Sequence, residues 1–163
     1  MSTFLVTNGT TPAVLRRMHA EGRLPTQLYV TVAAPNEDIY RRLMVPKSGN
    51  EWRKLRETLE LLPSLPTRTV IRHTLVEGWN LGWEDEYAAL DRSARPMFIE
   101  CKGYSFVGES RLRLEAENVP SHASIRTFAD RLGSRLGYHV AAEREDSRVV
   151  LLTEDGRLHP LSH

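Results

Sequence analysis

The chain has 163 residues, 40% hydrophobic and 26% charged, the usual size and composition of one domain around one core. Lys and Arg total 22 against 21 Asp and Glu, a formal charge of +1, so a polybasic nucleic-acid arm and an acidic tail are both absent as bulk features and any RNA contact must be a local patch. The single cysteine, Cys101, excludes an intrachain disulfide framework, a zinc site of several thiolates, and an iron–sulfur cluster held by this chain alone.

The first ten residues have no basic segment and only three consecutive apolar side chains, and no stretch approaches the ~18 apolar residues of a membrane span. The expectation is a cytoplasmic protein without membrane contact. Residues 3–7 predict a strand that ends on the turn pair Asn8-Gly9. Pro12 then starts a helix carrying Val14, Leu15 and Met18, ended by Gly22 and Pro25. Residues 27–32 form a second strand, followed by one or two helical turns at Ile39, Tyr40 and Leu43. Asn50 can cap a helix with Trp52, Leu55, Leu59 and Leu62 at helical spacing, stopped by Pro63 and Pro66.

Residues 69–76 predict a third strand that leaves through Gly78-Trp79-Asn80, and a helix follows around Tyr87, Ala88 and Leu90. Residues 97–103 form a fourth strand, after which Gly108 opens a charged loop with Arg111, Arg113, Glu115 and Glu117. Ser121 caps a helix bearing Ile125, Phe128, Ala129, Leu132 and Leu136 that closes at Gly137. Residues 138–142 and 148–152 make a hairpin around the polar turn 143–147, giving a domain over 1–152 and a frayed tail over 153–163. Four strands separated by helix-length segments imply a parallel α/β sheet, with the hairpin as an antiparallel edge. Function then belongs to the loops after the carboxyl ends of the strands.

Those strand ends carry an ordered pattern. Thr3-Phe4-Leu5-Val6-Thr7-Asn8-Gly9-Thr10, Gln27-Leu28-Tyr29-Val30 with Pro35-Asn36, Val70-Ile71-Arg72 with Thr74-Leu75-Val76 and Gly78-Trp79-Asn80, and Phe98-Ile99-Glu100 with Lys102-Gly103-Tyr104 and Val107-Gly108 together resemble the 4-demethylwyosine synthases. These are radical S-adenosylmethionine enzymes that build the tricyclic wyosine base on N1-methylguanosine in tRNA, using pyruvate. The resemblance runs from Thr3 to about Leu152. It implies a partial (βα) barrel of which this chain matches the later four units and the C-terminal extension. The family's earlier portion, with its CxxxCxxC loop for a [4Fe–4S] cluster, is not matched, so the resemblance implies either one half of a split enzyme, completed by a separate N-terminal half, or a disrupted one.

Residue by residue, the resemblance puts Asn8 near the S-adenosylmethionine site, although the same asparagine suits a turn. It gives Thr31 a place among ribose-binding hydroxyls, with Ala33 standing where the family has an aspartate. Arg72, in an otherwise apolar strand, needs an acidic partner: the carboxylate of S-adenosylmethionine or a neighbour such as Glu100. His73 alternates to the other face and is expected under a helix, and Cys101 is expected as a small buried apolar residue. Lys102 and Tyr104 resemble residues at the mouth of the active site, and Arg111 and Arg113 are candidates for tRNA phosphates or for a solvated charged loop. The implied function is the C-terminal portion of a wyosine-forming tRNA-modifying enzyme, probed against a second class, a noncatalytic RNA-binding or regulatory module. An unrelated phosphate-binding α/β domain lacks support, because neither a Walker loop nor a GxGxxG fingerprint occurs.

Overall fold

The β-branched and aromatic runs pair side by side in the computed structural model, which describes residues 1–162 apart from the side chains of residues 109 and 110. His163, the last residue of the predicted tail, lies outside them. The strands are β1 (Phe4–Thr7), β2 (Gln27–Thr31), β3 (Arg68–Leu75), β4 (Phe98–Gly103), β5 (His139–Arg144) and β6 (Val149–Thr153). They form one six-stranded sheet in the order β1-β2-β3-β4-β6-β5. The first four are parallel, while β6 runs antiparallel to β4 and to β5. The fold is therefore mixed α/β, with the terminal hairpin laid against the fourth strand by its second arm.

Five α-helices connect or follow the strands among the described residues: α1 (Pro12–Ala20), α2 (Glu37–Met44), α3 (Glu51–Leu61), α4 (Glu84–Ala94) and α5 (His122–Leu136). Local chemistry sets their ends. Pro12 occupies the first turn of α1, where its missing N–H costs nothing. Asn36 caps α2 by accepting from the Ile39 N–H at 3.0 Å, with Glu37 and Asp38 in the first turn and Arg41 and Arg42 in the last, as the helix dipole favours. Ser121 caps α5 through the Ser124 N–H at 3.1 Å, and Gly137 ends it at φ +76°. Asn50 sits at the start of α3 without capping it, because its Oδ1 accepts from the Ser48 hydroxyl at 2.7 Å instead.

Alternation along the strands separates two faces. On one, Leu28, Val30, Ile71, Ile99, Val150 and Leu152 are almost completely buried. They pack under Leu15 of α1, Leu55 and Leu59 of α3 and Leu90 of α4, and under Ile125, Phe128 and Leu132 of α5. Consecutive contacts α1–α3, α3–α4 and α4–α5 make these helices a single layer. Each large apolar side chain so buried stabilises the fold by roughly 1.5–3 kcal/mol. The opposite face, with Tyr29, Thr31, Arg72, Thr74, Glu100 and Lys102, has no such layer among the described residues and is only partly buried. At its edge β1 leaves Phe4 and Val6 57% and 56% exposed.

Two expectations change at the ends of the chain. The α1 stripe is narrower than its apolar residues suggest: Leu15 is buried but Val14 is exposed, since β1 is short and lies at the sheet edge. The C-terminal segment is not simply frayed. Thr153 Oγ1 donates to the Arg157 carbonyl at 3.0 Å, Arg68 donates to the His159 carbonyl, and the His159 ring stands edge-on to Phe98 at 6.5 Å. Leu158, His159 and Pro160 thereby roof a cavity of about 440 Å³ over the amino-terminal end of the open face. This accounts for the burial of Val70 and Phe98 there.

Candidate functional site

The polar residues of the open face converge because parallel register places equivalent positions side by side. Thr31 is the Cα partner of Arg72, Arg72 of Glu100, and Thr74 of Lys102. Arg72 donates through Nε to Glu100 Oε2 at 2.7 Å, with the two side chains 27% and 18% exposed. Its guanidinium also lies 4.9 Å from the centroid of the Tyr29 ring, a stacking geometry that holds the plane in place. So the partner that the apolar strand demands for Arg72 is Glu100, and the pair stays reachable from the open side. Lys102 lies one pleat further toward the carboxyl end of β4, on the same face and half-buried.

Asn8 stands apart from this group, in the loop after the edge strand. Its Oδ1 accepts from the Thr10 N–H at 3.1 Å and the Thr10 hydroxyl at 2.8 Å, so the side chain shapes a turn. Gly9 follows at φ +76°, and a Cβ there would sit 2.6 Å from Leu55 Cδ1, so only glycine lets the chain pass this close to α3. Thr58 Oγ1 donates to the Gly9 carbonyl at 2.6 Å and ties the loop down.

A second grouping forms around the loops after β2 and β3. Asn80, fully buried, accepts from the Val76 N–H at 2.6 Å and donates to the carbonyls of Ala33 and Thr74 at 2.7 and 2.9 Å. One side chain thereby locks the two strand-end loops together. Tyr87 donates its hydroxyl to the Asn80 carbonyl at 3.0 Å, and Asn36 reaches Glu86 at 2.7 Å. Between these loops Trp79 and Trp83 line a cleft of about 930 Å³ with Arg42. Tyr104 is buried beside it, in a cluster with Leu43, Val76 and Leu114. Arg113 donates to the Leu43 carbonyl, and Arg111 lies 5.2 Å from the Phe106 ring centroid. The seven residues singled out from sequence thus fall into three places: Thr31, Arg72 and Lys102 on the open face, Asn8 in the edge loop, and Tyr104, Arg111 and Arg113 in or on the apolar cluster of Leu43, Val76 and Leu114.

On the covered face His73 is completely buried. Its Nδ1 donates to the Val32 carbonyl at 2.8 Å, and its Nε2 faces both Asp91 oxygens at 2.9 and 3.0 Å. Acceptors on both sides call for an imidazolium. Burial works against that charge, but the Asp91 charge and hydrogen bond, with the Val32 carbonyl, outweigh it and raise the His73 pKa. Cys101 is equally buried, and burial pushes its thiol well above the usual range. It is the single cysteine of the chain, and no group of three or more His, Cys, Asp and Glu able to hold a metal occurs among the described residues. The residues present do not fit an iron–sulfur cluster.

Sequence reasoning gave Asn80 only as part of the Gly78-Trp79-Asn80 turn and passed over Asp91 and the tryptophan cleft. Asn80 reads as an ordinary turn residue, since its bond to Ala33 spans 47 positions. A signal for Asp91 did exist: it shares the buried stripe of α4 with Tyr87 and Ala94, where an unpaired carboxylate is not tolerated.

A family model described as wyosine base formation matches residues 93–154. The S-adenosyl-L-methionine-dependent tRNA 4-demethylwyosine synthases of Pyrococcus abyssi and Pyrococcus horikoshii are each 50% identical over 155 residues, 94% of this chain and 45% of their own length. The chain therefore spans about half the length of the curated relatives it matches. A solved structure of TYW1 with a lysine-pyruvate adduct bound superposes at a TM-score of 0.83 with 33% identity, over 97% of this chain and 50% of that one. The crystal structure of archaeal TYW1 gives 0.75 at 29% identity, over 96% and 48%. Family model, sequence and fold agree that the chain is similar to the C-terminal portion of the tRNA 4-demethylwyosine synthases.

Proposed function

We propose that this chain, with residues 1–152 as its domain, forms the later part of a partial (βα) barrel in a radical S-adenosylmethionine enzyme that makes 4-demethylwyosine from N1-methylguanosine in tRNA and pyruvate. It works in the cytoplasm together with the family's N-terminal half, which carries the cluster cysteines. One observation carries the reading: the sheet has a face with no helix layer among the described residues, its polar groups assembled but reachable, ending in the unpaired edge β1 with Phe4 and Val6 exposed. A bare edge strand and exposed apolar side chains are what a further parallel strand and its neighbours would cover. No helix among the described residues is long and apolar enough to cross a membrane.

On this reading Thr31 offers a hydroxyl to the ribose of S-adenosylmethionine, and Arg72, oriented by Glu100 and Tyr29, offers its guanidinium to the carboxylate. Lys102 extends the same face toward the substrate. Asn8 holds the Gly9 turn at its rim. The hard chemistry belongs to the cofactor and cluster, and this chain binds and orients. Co-expression with the N-terminal half of the Pyrococcus abyssi relative, followed by anaerobic reconstitution with iron and sulfide, tests it. Cleavage of S-adenosylmethionine by the pair but by neither half supports the proposal, and a purified, iron-loaded pair without cleavage ends it.

A further inference from the structure

We propose that His73 is a positioning residue for the open face: its doubly protonated ring ties the carboxyl end of β2 to α4, and loss of the Nδ1 proton releases that end. This deepens the reading of Thr31 as a ribose-binding hydroxyl and rests on it for its functional consequence. β2 ends as a strand at Thr31, where the chain turns away toward α2. Val32 is held from β3 at both its backbone groups: its N–H donates to the Arg72 carbonyl at 2.9 Å, and its carbonyl accepts from His73 Nδ1 at 2.8 Å. Thr31 is the Cα partner of Arg72, so the backbone that presents the Thr31 hydroxyl is fixed by one bond to each of two successive β3 residues.

A ring with acceptors at both nitrogens needs both protons, and the two do not leave equally. The Nε2 proton faces two Asp91 oxygens at 2.9 and 3.0 Å, on a side chain only 2% exposed. Without that proton the carboxylate stands buried and unpaired. The Nδ1 proton serves a neutral carbonyl, and a hydrogen bond to a charged acceptor is about twice as strong as one to a neutral acceptor. On deprotonation the proton therefore leaves Nδ1, the ring stays on Asp91, and the Nδ1 lone pair is turned on the Val32 carbonyl oxygen. Attraction becomes repulsion at that one point.

The packing around the ring supplies no second charge. The Tyr87 ring of α4 stands edge-on with centroids 4.7 Å apart and Phe128 of α5 at 6.4 Å, and Cys101 is the Cα partner on β4. Burial holds the Tyr87 hydroxyl and the Cys101 thiol well above their usual ranges, so both stay neutral, and Asp91 is the one charged side chain paired with the ring among the described residues. The His73 pKa is raised, so release comes on the alkaline side of the ordinary imidazole range. Beyond Val32 the loop is held by a side chain that does not titrate: Asn80 Nδ2 donates to the Ala33 carbonyl at 2.7 Å. Release is thus confined to residues 31 and 32, next to the open face.

The test reads the ring and the strand end together, by NMR of the isotope-labelled full chain. His73 should be doubly protonated at neutral pH and protonated on Nε2 alone once it titrates. Across that step the Val32 amide should exchange with solvent about tenfold faster than base catalysis in a peptide control explains, the weight of about one hydrogen bond, while the Ile99 amide does not. In Asp91→Asn the carboxamide donates to Nε2, the neutral ring keeps its proton on Nδ1, and Val32 should stay protected at every pH. His73→Phe combined with Asp91→Leu replaces the buried pair by apolar groups, a change such sites tolerate, and in a chain that a thermal melt shows folded Val32 should exchange at the fast rate throughout. A neutral parent ring protonated on Nδ1, a ring doubly protonated until the chain unfolds, or a Val32 amide indifferent to the titration overturns the proposal. In the iron-loaded pair, equilibrium dialysis should show S-adenosylmethionine affinity falling about three- to tenfold across the same step in the parent and not in Asp91→Asn. A pair that binds the cofactor without that step overturns the positioning role and leaves the enzyme reading standing. A pair that binds none ends the enzyme reading, while the NMR result still decides whether His73 holds the strand end.

Discussion

Arg72 and His73 are adjacent in β3 yet belong to different parts of the molecule. His73 points under the helix layer, fully buried, with both ring nitrogens satisfied by Val32 and Asp91. Arg72 points to the uncovered face, and its pair with Glu100 stays partly solvated. On the covered face a charge survives only by being completely paired, and nothing from outside can reach it. On the open face the charges are positioned but accessible. Burial and pairing therefore hold one side of the sheet, and positioned, reachable polar groups stand on the other, separated by a single step of the strand.

The largest effect should come from breaking the covered pair. His73→Ala strands Asp91 in the core, and loss of one partner of a buried pair costs about 3–5 kcal/mol, measurable by urea unfolding. The pH profile gives a finer check. A pKa raised in the folded state means that the contribution is complete below the unfolded value of about 6.5 and fades as pH rises through the higher folded value. Stability of the parent should thus decline on the alkaline side, while His73→Ala should lack that component. A parent flat across that range would contradict the imidazolium assignment.

Next in size is Asn80→Ala, which leaves the Val76 N–H and the Ala33 and Thr74 carbonyls without their partner. Unsatisfied buried groups cost about 1–3 kcal/mol each, and partial access of water to the loops points to a total of about 2–3 kcal/mol. Because this residue joins the two cleft walls, Trp83 fluorescence should shift even where the chain remains folded. Arg72→Ala should cost less, about 1 kcal/mol, since its pair with Glu100 is partly solvated. A double-mutant cycle with Glu100→Gln measures that coupling directly, and a value as large as that of the His73–Asp91 pair would erase the distinction between the faces.

How much of this was legible follows from the range of each interaction. The strands β1 to β4, the Ser121 cap and the Gly137 stop are written in neighbouring residues, and they stand within a residue or two of where period and turn chemistry put them. The burial of His73 also followed from simple alternation. Asn50 misled at short range, because the Ser48 hydroxyl competes for the oxygen that would have capped α3. Partners 18 to 47 positions apart, such as Asp91 for His73 and Ala33 for Asn80, depend on how helices dock and left no periodic trace. The return of Leu158 to Pro160 across the sheet was illegible for the same reason: its grip comes from Arg68 and Phe98, far back in the chain. For the open face, the resemblance named Thr31, Arg72 and Lys102, and the parallel register brought them together.

The smallest effect concerns Arg111 and Arg113, and it should be visible only as a salt dependence. Both are exposed and bury little, so replacing them with Ala should move stability by no more than about 0.5 kcal/mol. Each phosphate neutralised contributes about 0.7 to the slope of log affinity against log salt for a single strand. If both arginines contact tRNA phosphates, the double variant should flatten that slope by about 1.4. Arg113, however, already spends Nη1 on the Leu43 carbonyl, which fixes its plane and leaves one edge for an anion, whereas Arg111 is braced by the Phe106 ring alone. The single variants should therefore differ: Arg113→Ala should also loosen the loop against α2 and weaken binding at all salt concentrations, while Arg111→Ala should change mainly the slope. Titration of fluorescent tRNA at three salt concentrations separates these outcomes, and a slope unchanged in the double variant would place the phosphate contacts elsewhere on the chain.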